Sequence, residues 1–169
     1  MAFASDLKVP LEEFQKAGAA VEADEKNRQI RIRMGKRPLP LLIKTEPYPG
    51  FPTDLQSPFM AFLATAQGTS YIEEQVFEGR FATAKILEQM GAVIRTEDRR
   101  AVIEGHYPLK GAAVNACDLR GGAALMVAAL AAEGDTFIGE CHHIERGYED
   151  ICRDMAALGA HIRWVGKDS

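Results

Sequence analysis

The sequence predicts an α/β fold (α+β in the broader class) built from a repeated β-α-β-α-β-β unit, and three observations predict it. Three segments share one pattern, "FQKAGAAV" at 14–21, "LEQMGAVI" at 87–94 and "MAALGAHI" at 155–162. Each reads as a helix end, a Gly-Ala pair and the start of a strand, because glycine enters the left-handed conformation past a helix C-terminus cheaply. "TDLQ" at 53–56 is matched 64 residues later by "CDLR" at 117–120, and each opens a helical run closed by Gly68 or Gly134. "FEGRF" at 77–81 and "IERGY" at 144–148 each open the next helix. Matched motifs in one order mark a repeated unit. They divide the chain, read as a single partial domain, into 1–40 (the remnant of a first repeat), 41–107 (a second) and 108–169 (a third).

The elements follow in order. In the remnant, "LEEFQKAG" reads as helix and "RQIRIRM" as strand. "PLLIKTEPYP" is extended, and Asp54 to Ala66 is helical, with Leu55, Phe59, Phe62, Leu63 and Ala66 near one face. Pro58 falls in the first turn, where a missing N–H costs little. "TSYIEEQVF" alternates and carries β-formers, so it reads as a strand. "RFATAKILEQM" is helical, and "AVIRTEDRRAVIEGH" is a hairpin turning near Glu97–Arg100. The third unit repeats the scheme: strand "LKGAAVNA", helix "DLRGGAALMVAALAAE", strand "DTFIGECHHI", helix "RGYEDICRDMAAL" and strand "HIRWV". Across that last helix Ile144, Tyr148, Ile151, Cys152, Met155 and Leu158 recur at helical spacing. Strand–helix–strand units imply crossovers with helices stacked on sheet.

Composition narrows the function classes. The 169 residues are 47% hydrophobic and 26% charged, as in a soluble globular protein. A chain of this size buries about 70% of its unfolded surface. Net charge is −4, with 20 basic and 24 acidic residues and no Lys/Arg block, which argues against a nucleic-acid partner. No apolar run reaches the roughly 18 residues that span a bilayer, so no membrane partner is expected. "MAFASDLKVPLEEF" lacks the basic flank and apolar stretch of a signal peptide. Three cysteines without zinc-site spacing fit a reducing cytoplasm.

Asp54, in "PGFPTDLQSPF", admits two readings. It caps a helix, its carboxylate accepting backbone N–H bonds, or it meets a ligand hydroxyl in the crevice beyond a strand end. Asp118 stands at the same place in the next repeat and admits the same two. Arg80, Arg120 and Arg146 sit near helix starts, where a cation is electrostatically disfavoured. Either they converge on an anion, for which the planar guanidinium is suited, or each pairs with a neighbour such as Glu78 or Glu145. "CHH" at 141–143 is read on a strand, where adjacent side chains point to opposite faces and chelate poorly, so no metal is expected. Cys117 is read as a small packed residue, and "LRGGAAL" matches neither dinucleotide nor P-loop patterns.

"TEPYPGFPTDLQ", "YIEEQVFEGRF", "DLRGGAALMVAALAAEG" and "HHIERGYEDI" together resemble the UDP-N-acetylglucosamine enolpyruvyl transferases of bacterial peptidoglycan synthesis, from about Leu11 to Val165. The resemblance implies two similar domains, each an inside-out α/β barrel of three units, with the active site in the cleft between them. It implies transfer of the enolpyruvyl group of phosphoenolpyruvate to the 3-hydroxyl of UDP-N-acetylglucosamine, with no cofactor. By motif, Asp54 becomes the base toward that hydroxyl. Thr53 and Val76 line the sugar-nucleotide, Asp118 belongs to the substrate-binding set, and Arg80, Arg120 and Arg146 face the phosphate and carboxylate. A base on the oxygen, an acid on the methylene and fixed guanidinium groups are what this addition requires, and "PGFPTD" supplies a rigid approach for the base.

Gly79 stands where the family commonly has asparagine. The family's other domain supplies a Lys-Asn pair, a loop with the proton donor and another arginine, none of which this chain matches. The expectation is therefore a C-terminal domain portion, inactive alone, whose partner is the N-terminal domain or a second copy docked on an exposed sheet edge. The competing readings are a non-catalytic sugar-nucleotide or partner-binding domain of the same fold, and the related shikimate-pathway transferase. "PGFPTDLQ" and "FEGRF" point away from the latter.

Overall fold

A computed structural model of the chain describes residues 4–166, so the outermost three residues of the first and third predicted units lie outside it. After a 3-10 turn at Ala4–Leu7, α1 (Lys8–Lys16) ends at Gly18, whose φ of +99° is the left-handed geometry the Gly-Ala pattern requires. Gly91 (φ +85°) and Gly159 (φ +97°) repeat it at the other two sites. β1 (Ala20–Asp24) and β2 (Gln29–Arg33) follow as an antiparallel hairpin that forms a sheet of its own.

The second unit builds the main sheet. It contains β3 (Leu42–Lys44), β4 (Thr69–Glu73), β5 (Val93–Glu97) and β6 (Arg100–Glu104), in the order β3-β4-β6-β5. β3 and β4 are parallel, joined over α2 (Gln56–Leu63), while β6 runs antiparallel to both its neighbours. The hairpin turns between Glu97 and Arg100 as expected, and α3 (Ala82–Gln89) precedes it. In the third unit, β7 (Leu109–Lys110) pairs with β9 (Ala132–Glu133) and β8 (Ala113–Asn115) with β10 (Phe137–Gly139), both in parallel. α4 (Leu119–Leu130) makes the crossover from β8 to β10, the counterpart of α2.

α2 and α4 pack on each other and centre the core. Met60, Leu63, Ala124, Leu125 and Ala128 are all fully buried. Each large side chain among them contributes about 1.5–3 kcal/mol by leaving water. Phe14 of α1 stacks against Phe59 and Phe62, and Phe59 against Phe51, with ring centroids 4.8–5.3 Å apart, which ties the first helix to the second unit.

Several elements differ from the sequence expectation. The helix read over 54–66 begins as a 3-10 turn, Thr53–Leu55, and ends at Leu63. "LKGAAVNA" is two short strands, because a Cβ at Gly111 would collide with the Asp135 carbonyl and the chain must step past it. "DTFIGECHHI" leaves the sheet at Gly139. Glu140 turns the backbone at φ +55°, and α5 (His142–Glu145) starts. The next helix, α6 (Ile151–Ala157), begins only after Asp150, whose carboxylate accepts the Arg153 N–H at 2.9 Å. The 144–158 apolar series is thus divided between two helices: Ile144, Ile151 and Cys152 are buried, whereas Leu158 is exposed. "HIRWV" forms no strand. β5, its counterpart, exists through its ladder to β6, and 161–165 has no such ladder among the described residues.

Candidate functional site

The two aspartates that sequence makes equivalent are not used alike. Asp118 is the N-cap of α4 and accepts the Gly121 N–H at 2.7 Å. Asp54 caps nothing: Pro52 and Leu55 hold the cap positions of its turn and helix, without side-chain cap bonds. Its carboxylate stays exposed and reaches across 66 residues to the Nε of Arg120 at 2.5 Å. The cap reading therefore holds for Asp118 and fails for Asp54.

The arginines also separate. Arg120 lies in the first turn of α4, half-buried, and its partner is Asp54 rather than a neighbouring glutamate. Arg80, just ahead of α3, lays its guanidinium over the Phe77 ring, 4.5 Å from the centroid. Glu78 pairs instead with Arg99 at 2.8 Å. Arg146 is exposed at the C-terminal end of α5, where the helix dipole favours a cation, so the helix-start argument does not apply to it.

Glycines bring these segments around the start of α4. A Cβ at Gly121 would lie 2.7 Å from Cys117 Sγ and 2.9 Å from Thr83 Oγ1, on α3. A Cβ at Gly147, next to Arg146, would lie 2.7 Å from Leu119 Cδ1. One at Gly122 would collide with Ile144. The paired glycines of "LRGGAAL" thus serve close packing. The stretches carrying Arg80 and Arg146 flank the turn that carries Arg120. Cys117 is exposed rather than packed away, its sulfur 3.6 Å from Thr83 Oγ1.

Glu74 is absent from the motifs singled out above, yet it is the most enclosed carboxylate at this end of the sheet, 1% exposed. Its Oε1 accepts the Thr45 hydroxyl at 2.8 Å and the Val76 and Phe77 N–H groups at 2.9 and 3.0 Å. Its Oε2 accepts the Thr53 hydroxyl at 2.9 Å. Burial opposes the charge, but these four donors outweigh it and hold the carboxyl below its ordinary value of 4.5. The signal for Glu74 is present in sequence as period-2 alternation. Ser70, Ile72 and Glu74 all fall on the buried face, and the last is a charge that needs donors. The ladder stops at Glu73, so Val76 lies in the following turn rather than on the strand.

Glu140, His142 and His143 bring possible ligand atoms within 4.8 Å of one another, which corrects the strand-based reasoning about "CHH". The two rings lie side by side, centroids 4.0 Å apart, and a Glu140 carboxylate oxygen lies 3.3 Å from His142 Nδ1. The arrangement is stacked and mostly exposed. Among the described residues no helix is long and apolar enough to cross a membrane.

The paired crossovers over α2 and α4, with polar corners gathered at the start of α4, make an α/β domain whose solved relatives are enolpyruvyl transferases. The crystal structure of the enolpyruvyl transferase NikO from Streptomyces tendae matches 93% of this chain and 36% of its own, with a TM-score of 0.84 and 31% identity. EPSP synthase from Acinetobacter baumannii shares the fold, with a TM-score of 0.70 at 21% identity over 98% of this chain and 38% of its own. The family model for EPSP synthase (3-phosphoshikimate 1-carboxyvinyltransferase) matches residues 4–155, and the chain belongs to that family. Among curated relatives it is 51% identical, over 85% of its length, to the UDP-N-acetylglucosamine 1-carboxyvinyltransferase of Desulfofundulus thermocisternus. It is also 51% identical, over 88% of its length, to the UDP-N-acetylglucosamine 1-carboxyvinyltransferase 2 of Carboxydothermus hydrogenoformans. It spans 59% of the first and 36% of the second.

Proposed function

We propose that this chain contributes the C-terminal domain's share of a UDP-N-acetylglucosamine enolpyruvyl transferase of peptidoglycan synthesis, through units spanning 1–40, 41–107 and 108–169. The single observation that carries this reading is the Asp54–Arg120 pair, which sets a base-capable carboxylate beside an anion-binding guanidinium at matching corners of two repeats. In this reading Asp54 takes the proton of the sugar 3-hydroxyl as its oxygen bonds to the central carbon of phosphoenolpyruvate. The methylene receives its proton from a group on the companion domain. Arg120, with Arg80 and Arg146, balances the phosphate and carboxylate through the tetrahedral intermediate; phosphate then leaves with the proton that Asp54 took, while the new methyl returns a proton to the companion-domain group and the carbon–carbon double bond re-forms. Thr53 and Val76 line the sugar-nucleotide. Asp118 contributes indirectly, by fixing the helix start that aims Arg120.

The companion is the N-terminal domain or a second copy, and the β1–β2 hairpin, which pairs with no further strand among the described residues, is the place for it to dock. Three cysteines without zinc-site spacing suit a cytoplasmic setting. The test is phosphate release from phosphoenolpyruvate and UDP-N-acetylglucosamine by the chain alone, and by the chain mixed with a separately made N-terminal domain. Turnover in the mixture alone supports the reading. Silence in both from folded protein, with the sugar-nucleotide still bound, would leave a binding domain of the same fold.

A further inference from the structure

We propose that the buried Glu74 carboxylate is a positioning residue that clamps the Thr53–Asp54 corner to the Val76 turn and fixes the Thr53 hydroxyl as a hydrogen-bond acceptor toward the ligand. This deepens the proposed function, and its ligand arm rests on that reading.

The argument is one of donors and acceptors. An ionised carboxylate only accepts, so every group at hydrogen-bond distance from Glu74 must donate. Thr45, fully buried, accepts the Gln75 N–H at 2.9 Å and donates its own O–H to Glu74 Oε1. Thr53 has one proton and directs it to Glu74 Oε2. Its remaining lone pairs are left for whatever meets the corner from the open side: an N–H or O–H of the ligand, never a bare acceptor. The same carboxylate takes the Val76 and Phe77 N–H groups. One side chain thus joins the end of β3, the corner one residue before Asp54 and the turn after β4. A buried carboxylate with four donors is stiff, because losing any one leaves charge without a partner. That stiffness is what an exposed Asp54 needs if its carboxylate is to meet a hydroxyl in a fixed pose.

Two variants separate the clamp from the hydroxyl direction. Glu74→Ala removes the acceptor. Glu74→Gln keeps the shape but offers an N–H₂ to Thr53, which must then accept and turn its proton outward. The first arm uses the isotope-labelled chain without ligand. In Glu74→Ala the Val76 and Phe77 amides should exchange at least about tenfold faster, and the Thr53 and Asp54 signals should shift, while the Leu63 and Ile103 amides stay protected. Unchanged protection at 76 and 77, or a uniform loss across the core, overturns the clamp. The second arm titrates UDP-N-acetylglucosamine into the wild-type mixture of domains and the variant mixtures. Glu74→Gln should weaken binding about tenfold at a temperature where both proteins are fully folded, and Glu74→Gln on a Thr53→Val background should add nothing. Wild-type affinity in Glu74→Gln, or additive losses, overturns the acceptor role. If the wild-type mixture binds no sugar-nucleotide, the proposed function fails, and the exchange arm still decides the clamp.

Discussion

At Asp118 the chain arrives extended (φ −163°, ψ −178°), and the Gly122 N–H closes the first α-turn on the Asp118 carbonyl at 2.9 Å. At the equivalent place after Asp54 stands Pro58, which has no N–H to close that turn. The chain there tightens into a 3-10 turn instead, with Leu55 N–H bonded to the Pro52 carbonyl at 3.0 Å, and the helix proper starts at Gln56, one residue later than its counterpart after Asp118. The Asp118 carboxylate consequently folds back on its own helix, and that of Asp54 is left to reach Arg120. Identical Asp-Leu steps thus give opposite outcomes because of a residue four positions on. The lesson is that the residue type at a corner names the available chemistry, whereas the local hydrogen-bond closure decides whether the backbone or a ligand receives it.

The sharpest way to break this comparison is to remove each carboxylate in turn. Asp54→Ala should lower phosphate release by the domain mixture by about 10²–10⁴-fold, as for loss of a general base. Its effect on stability should be small, since an exposed ion pair is worth about 0.2–1 kcal/mol. Asp118→Ala should do the reverse, costing about 0.5–2 kcal/mol as a lost cap while reducing turnover only to the extent that Arg120 loses its aim. Thermal melts and initial rates on the same two samples check both. Equal losses of rate, with equal stability, would mean that the two corners are functionally alike after all.

A second test asks whether the close approaches at the start of α4 matter as much as the cap. Gly121→Val places methyl groups where Cys117 Sγ and Thr83 Oγ1 already leave under 3 Å for a Cβ. Overpacking of this kind should cost about 1–3 kcal/mol, and it should separate the Arg80 and Arg120 segments. A melting temperature equal to wild type would show that the helix start yields easily and does not fix the arginines.

These contrasts also show how much was legible in sequence. The glycine-ended helices, the two crossovers and the hairpin turn at 97–100 were readable because glycine placement and periodicity are local signals. Asp54, Arg120 and the flanking arginines were legible as types. Their partners were not, because the contact that matters joins positions 66 residues apart. Pro58 is tolerable in a first turn, but without an N–H it cannot close an α-turn on the Asp54 carbonyl, which is a consequence of hydrogen-bond closure rather than of propensity. Glu74 escaped for a different reason. A charged residue in an alternating strand ordinarily faces water, and only the donors from Thr45, Thr53 and the following turn make its burial possible. The strand at 161–165 and the long helix from 146 failed because pairing and capping, not apolar spacing, set their limits.

The buried carboxylate gives a pH-dependent way to sharpen the contrast. Glu74 is held below its ordinary value of 4.5 in the folded chain, so it contributes stability above that value and loses it as pH falls through the lower folded value. The groups facing it are the Thr45 and Thr53 hydroxyls and the Val76 and Phe77 amides, while the neighbouring charges Lys44 and Glu73 pair with each other. Denaturant melts at neutral pH and well below pH 4 should therefore show a steeper acid loss for wild type than for Glu74→Gln. Parallel curves would show that the carboxyl is not selectively stabilised in the fold.

The smallest expected effect in energy tests the cause directly. Pro58→Ala restores the N–H that can close an α-turn on the Asp54 carbonyl. It loses the rigidity that proline imposes on the unfolded chain, worth about 0.4–1 kcal/mol, and regains alanine's preference for helix, so stability should change by no more than about 1 kcal/mol. Geometry should change more than stability. With the turn closed, the Asp54 carboxylate can turn back to the Ser57 N–H as Asp118 does to that of Gly121, and it would then release Arg120. The Arg120 Nε–H resonance, shifted by a charge-assisted bond in the wild type, should move toward that of a solvated arginine, and phosphate release by the domain mixture should fall with it. If the resonance stays in place, the proline does not divide the two corners. The tie from Thr53 to Glu74, which has no counterpart bond at Cys117, would then be what keeps Asp54 turned toward its arginine.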